Sequence, residues 1–182
     1  MLAKKKSVGP DGLKLDNLIA CGPIAVASSL NEMMRTKSEV LTNGFLIPIR
    51  KPGKDASDAG SYRPIILMNA YRKLLSRIVL NRIVHLLDGD LSYFQHAYTK
   101  NKSTAEVVLA HKLLKAYTEE FDSEAIVVAG IDMSKAFDTV PRDKLITLLY
   151  QKFPSCPDIS LVRLLLSNTK LTIKKKNCLS AP

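Results

Sequence analysis

A chain of 182 residues with 46% hydrophobic side chains can bury one core, and one domain is the default expectation. No apolar run approaches the roughly 20 residues of a membrane-spanning helix, and the start, Lys4-Lys5-Lys6 followed by Gly-Pro-Asp-Gly, lacks the apolar segment of a signal peptide. The net charge of +10 is uneven: residues 50–115 hold twelve Lys/Arg against five Asp/Glu, and residues 116–143 hold two against seven. A basic stretch that attracts phosphate backbones, beside an acidic one that a metal ion would neutralise, suits a nucleic-acid enzyme. A solvated basic face with an acidic loop is the bland alternative. Cys21, Cys156 and Cys178 are too few and too far apart for a disulfide framework or a zinc site, and His85, His96 and His111 share no ligand spacing. A reducing, intracellular setting fits.

Along the chain, residues 7–13 read as a loop punctuated by Gly and Pro. Pro23 is a good first-turn residue for a helix running to about Lys37. Gly44 to Lys51 alternates Phe45, Ile47 and Ile49 against Leu46, Pro48 and Arg50, which predicts a strand, and Pro48 places it at a sheet edge. Lys51-Pro52-Gly53-Lys54-Asp55 opens a turn-rich loop through Gly60, and Tyr62 to Met68 returns as a second strand carrying Pro64. Together they predict a flexible hairpin with a basic loop.

Asn69 is a good N-cap, and Tyr71, Leu74, Leu75, Ile78, Val79, Ile83 and Leu86 follow at helical spacing, with Arg72, Lys73, Arg77 and Arg82 on or beside the other face. Ser103 and Glu106 resemble a capping box opening a helix with Val107, Ala110, Leu114 and Tyr117 inward. Residues 125–131 predict a strand. Helices follow from Pro141 to about Lys152 and from Pro157 to about Asn168, then an alternating strand over 169–175 with Leu171 and Ile173. The order gives an α+β fold rather than a regular βαβ repeat.

The 125–131 strand ends on Asp132, with Asp138 six residues on. A rigid strand that delivers a carboxylate at its tip is a common way to hold a divalent metal against phosphate. A Walker-B carboxylate also ends an apolar strand, but no Gly-x-x-x-x-Gly-Lys-Ser/Thr cradle occurs here. An aspartyl-phosphate enzyme would want a second Asp where Ser134 stands. A structural Asp capping the next turn is the remaining alternative.

The wording Asp132-x-x-x-Ala136-Phe137-Asp138 after such a strand resembles the first catalytic motif of reverse transcriptases, most like the non-LTR (LINE-type) retrotransposon branch. Other segments resemble the same family in the same order. Ser7-Val8-Gly9-Pro10-Asp11-Gly12 is similar to its opening block. Leu46 to Lys54, with Ser61-Tyr62-Arg63-Pro64-Ile65, looks like its fingers hairpin, and the run from Asn69 to Ile83 looks like the helix after it. Gln95-His96-Ala97-Tyr98 and Lys102-Ser103-Thr104 sit where the family has Gln-x-Gly-Phe and Arg-Ser-Thr.

The resemblance implies a right-hand polymerase: about 1–120 would be fingers and entry into the palm, and about 121–182 a partial palm. The implied reaction is template-directed DNA synthesis by two-metal nucleotidyl transfer, with Mg²⁺ (or Mn²⁺) as cofactor and an RNA template, a DNA primer and dNTP as partners. Asp132 and the backbone carbonyl of Met133 would be metal ligands. Arg63 would grip the triphosphate with Lys51 and Lys54 assisting, and Phe137 would lie under the sugar and disfavour a 2′-hydroxyl. Gln95, Tyr98, Arg72, Lys73 and Arg77 would lie along template and primer. Solvated surface roles for the lysines and arginines, and a core role for Phe137, stay open as alternatives. A nuclear location is the family's expectation.

Three departures stand out. Ala97 and Tyr98 replace Gly-Phe, Ile66 stands where a serine is usual, and the Gly-x-Pro-Gln-Gly block and Asp-Asp hairpin do not follow. One carboxylate cannot hold two ions in register, so the expectation is a fingers and early-palm fragment, inactive as it stands. A non-enzymatic nucleic-acid-binding remnant and an unrelated α+β interaction module are the rival readings.

Overall fold

A computed structural model of the chain describes residues 7–87, 89–121, 127–167, 169–175 and 178–179. They fall into two units: Met1–Val84 with Arg142–Pro182, and His85–Pro141.

In the first unit, the Gly-Pro-Asp-Gly segment is a turn closed by the Gly12 amide on the Gly9 carbonyl (3.1 Å). Pro10 occupies the position its fixed φ favours. The turn packs on Asn69. A Cβ at Gly9 would sit 2.5 Å from Asn69 Oδ1 and 2.7 Å from the Met68 carbonyl carbon, so only glycine fits there. Helix α1 (Leu15–Cys21) follows and ends at Gly22, whose φ is 78°. Leu15, Leu18 and Ile19 have helical spacing ahead of that glycine, a short signal outside the helices expected from the sequence. Helix α2 (Pro23–Arg35) has its proline in the first turn, as predicted.

Strand β1 (Asn43–Arg50) and strand β2 (Tyr62–Met68) form the expected antiparallel hairpin. Helix α3 (Ala70–Ile83) follows it. The first unit resumes with α5 (Arg142–Lys152), α6 (Asp158–Leu166), β3 (Lys170–Lys175) and β4 (Cys178–Leu179), while α4 (Thr104–Glu120) belongs to the second. The sheet order is β2-β1-β3-β4, with β1 and β3 parallel. The expectation that β1 is an edge strand is therefore corrected: it is internal over Asn43–Leu46, where β3 pairs with it.

Pro48 explains where that pairing stops. It lies opposite Pro64 in the hairpin, and two residues without N–H groups are suited to a pair that exchanges no hydrogen bond. In such a pair the Pro48 nitrogen faces away from β2, on the side where β3 lies, and offers β3 no donor. Pairing with β3 accordingly ends at Leu46.

Two apolar clusters hold the first unit. Leu30, Leu41, Leu75, Val79 and Leu165 form one, and Leu18, Val26 and Ala70 the other. Leu75 and Val79 stand one turn apart on α3, so one face of that helix serves the main cluster. Asn69 does not cap α3 with its side chain. Buried instead, it donates from Nδ2 to the Val40 carbonyl (2.9 Å) and accepts the Asp11 amide on Oδ1 (3.1 Å), tying the turn to the segment before β1.

Candidate nucleotide and nucleic-acid site

In the hairpin, side chains alternate between faces. Arg63 lies opposite Ile49 and shares a face with Phe45, Ile47 and Ile65. It is exposed, and on the same sheet the Lys174 ammonium stands 4.8 Å from the centre of the Phe45 ring. Lys51 is partly committed: its Nζ donates to the Gly60 carbonyl (2.9 Å) and its amide to the Ser61 carbonyl (2.8 Å), which closes the loop. Lys54 is exposed on that loop. The loop is held by its own polar groups, since Asp55 accepts the Ser57 hydroxyl at 2.6 Å and the Tyr62 hydroxyl donates to the Ala56 carbonyl at 2.9 Å. The Ser57 hydroxyl and amide hold the Asp55 carboxyl below the usual carboxylate range.

The α3 cations divide. Arg72 does not line a surface, which corrects its placement along the template. It is buried, and its guanidinium donates to the Leu41 carbonyl (2.8 Å) and to the Leu165 carbonyl. Leu41 precedes β1 and Leu165 precedes β3, so this side chain clamps together the two segments that lead into the paired strands. Burial, and secondarily the charge of Arg142, push the Arg72 pKa down. Lys73 donates to the Ser7 carbonyl at 3.2 Å, whereas Arg77 is exposed. Arg82 pairs with the buried carboxylate of Asp158 (3.0 Å) and so serves the contact of α3 with α6.

In the second unit, Gln95 donates from its amide to the Ala97 carbonyl (3.0 Å), within its own loop. Tyr98 has φ of 60°, a left-handed conformation that an aromatic residue rarely adopts. Its ring meets that of Phe137 edge-on, with centroids 6.2 Å apart. Two residues singled out separately are thus in contact. Phe137 is 78% exposed, which removes the core reading of that ring. The predicted capping box is absent: Ser103 makes no side-chain cap, and the Glu106 carboxylate lies 3.0 Å from His96 Nδ1. Val107, Ala110, Leu114 and Tyr117 are exposed on α4, not inward.

The strand expected to deliver Asp132 is not formed over 127–131; residues 125 and 126 lie outside the described set. Val127 and Ile131 are 91% and 94% exposed, and Asp132 and Met133 are exposed as well. A strand cannot satisfy its own backbone groups, and no described strand pairs with this segment. The following turn closes through the Asp138 amide on the Lys135 carbonyl (2.9 Å). Among the described residues no group of three or more His, Cys, Asp or Glu side chains could hold a metal ion. The implied pair of ions therefore does not fit these residues alone; Asp132 offers a single carboxylate. Cys21 and Cys156 are free thiols, and no described helix is long and apolar enough to cross a membrane.

A mixed α/β chain with a basic hairpin ahead of an exposed Asp and an aromatic turn has the order of parts of a template-directed polymerase. The family model described as reverse transcriptase (RNA-dependent DNA polymerase) matches residues 49–180, and the chain belongs to that family. Its relatives place it with the non-LTR, LINE-type elements. It is 32% identical over 140 residues to the "Probable RNA-directed DNA polymerase from transposon BS" of Drosophila melanogaster, covering 75% of this chain and 15% of that protein. Against the RNA-directed DNA polymerase from mobile element jockey, also of Drosophila melanogaster, identity is 30% over 64% of this chain and 13% of that protein. Against the retrovirus-related Pol polyprotein from type-1 retrotransposable element R1 of Bradysia coprophila it is 34% over 46% of this chain and 8% of the relative. The chain thus spans a small part of the length of the curated relatives it matches.

Proposed function

We propose that this chain supplies the fingers hairpin and the first part of the palm of a LINE-type RNA-directed DNA polymerase, with about 1–120 in the first role and about 121–182 in the second. The observation that carries the reading is the family match over 49–180, which contains Arg63, Gln95, Tyr98, Asp132 and Phe137 in the family's order. Arg63 grips the triphosphate of an incoming dNTP, a task suited to a planar guanidinium fork. Lys54 assists from the loop, and Lys51 does so to the extent that its contact with Gly60 yields. Phe137, braced by Tyr98, meets the sugar edge and disfavours a 2′-hydroxyl. Gln95, Lys73 and Arg77 follow the RNA template and DNA primer.

Asp132 and the Met133 carbonyl would offer two of the oxygen ligands that Mg²⁺ or Mn²⁺ takes, and the described residues alone would not complete such a site. Such ions would stabilise the attacking and leaving oxygens of phosphoryl transfer. With one carboxylate, the chain binds nucleic acid and nucleotide but does not polymerise.

The test is to mix purified chain 1–182 with an RNA–DNA primer–template and dNTP in Mg²⁺ or Mn²⁺. The expected result is duplex binding that weakens linearly in log K against log salt, without primer extension. Arg63→Ala should weaken dNTP binding by roughly 10- to 150-fold, the value of one charge-assisted contact. Templated incorporation by this chain would overturn the single-carboxylate reading. Absence of salt-dependent binding would overturn the reading of this chain as a nucleic-acid-binding part of the polymerase.

A further inference from the structure

We infer that a polar cavity between α5 and α6 is a separate phosphate site that takes one phosphodiester unit of a single-stranded nucleic acid. The cavity measures about 560 Å³, the size of a nucleotide-binding pocket, and lies wholly within the first unit. Arg142 and Arg163 line it, together with the ring of Tyr150 and the apolar side chains of Ile146 and Leu166. None of these belongs to the hairpin or to the Asp132 segment.

The chemistry follows from which donors are spent and which are left. The Thr147 hydroxyl donates to the Asp143 carbonyl (2.9 Å) and the Ser167 hydroxyl to the Arg163 carbonyl (2.6 Å), so both hydroxyls are used by their own helices. The Arg142 guanidinium donates from Nη1 to the Leu166 carbonyl (3.0 Å), which anchors it while its other N–H groups stay available. Arg163 is exposed, and among the described residues its guanidinium has no hydrogen-bond or ion-pair partner. Two guanidinium forks match phosphate oxygens in number and plane. Asp143, also on the lining, reduces the formal charge to one positive, enough for one phosphodiester.

The apolar wall decides against a bare anion. Tyr150 lines the cavity and is 38% exposed, so an aromatic ring is within reach of a base attached to the bound phosphate. Inorganic phosphate would use the arginines and leave that ring idle.

The test is photocrosslinking of chain 1–182 to decauridylate carrying one 5-iodouridine, with the joined peptide read by mass spectrometry. The expected adduct is on Tyr150. Arg163→Glu should lower its yield about tenfold or more, the loss of one phosphate contact with added repulsion, and Arg163→Lys should recover most of it. Arg63→Ala, which tests the fingers hairpin, should leave the Tyr150 adduct unchanged, so failure of either proposal is distinguishable. Absence of an adduct within 142–167, or one that survives Arg163→Glu in full, would overturn the inference. Competition by free uridine monophosphate as strong as by unlabelled decauridylate would overturn the assignment to a strand.

Discussion

The two units of this chain meet the same physical demand in opposite ways. The first buries Leu41, Leu75 and Ile159 almost completely, whereas no described residue of the second is buried. Helix α4 nevertheless forms in the second unit, and the strand expected just before Asp132 does not. A helix satisfies its backbone hydrogen bonds within itself, while a strand must find them on a neighbour. The difference lies in backbone pairing: α4 closes its hydrogen bonds within itself, and residues 127–131 have no described strand to pair with. Strand β1 of the hairpin has neighbours on both sides, β2 and β3. The carboxylate has none among the described residues.

The contrast can be attacked most forcefully at Arg72. Arg72→Ala removes a charged donor from the Leu41 and Leu165 carbonyls, and should cost about 3–5 kcal/mol of stability. Urea unfolding followed by circular dichroism would measure it. A loss under about 1 kcal/mol would show that the strand-leading segments hold without the clamp.

A matched pair of truncations sharpens the comparison directly. Leu75→Ala, in the main cluster, should cost about 2–5 kcal/mol. Leu114→Ala, on α4 with 54% of its surface exposed, should fall within about 0.5 kcal/mol of the parent. Equal costs would mean that α4 is packed in solution.

The smallest effect is expected at Phe137. With its ring exposed against Tyr98, Phe137→Ala should leave thermal stability within about 0.5 kcal/mol. A change in ribonucleotide against deoxynucleotide binding at unchanged stability would favour the sugar-edge role, whereas a loss of several kcal/mol would return the ring to a core.

Much of the first unit was legible in the sequence because its signals are local. Alternation at 44–50 and 62–68 marked the hairpin, and the helical spacing of Leu75 and Val79 marked α3. What escaped was non-local. Arg72 carries the same charge as its exposed neighbours, and only the approach of the Leu41 and Leu165 carbonyls shows that it faces inward. Asn69 read as a cap because its type caps helices, yet its partners come from the turn at Asp11 and from Val40. The run before Asp132 has strand composition, and composition cannot say whether a partner strand is present. In the candidate site the sequence named the residues, and their order agrees with the family, but the edge-on contact of Tyr98 with Phe137 and the double arginine cavity at α5 and α6 needed coordinates.

The most direct measurement is native-state amide hydrogen exchange along chain 1–182. Residues 43–46 and 70–83 should exchange only through near-global unfolding, whereas the amides of 127–133 should exchange almost as in an unstructured peptide, because no described strand shields them. Protection of 127–133 comparable to that of β1 would contradict the claim that the hairpin is built in this chain and the strand ahead of Asp132 is not.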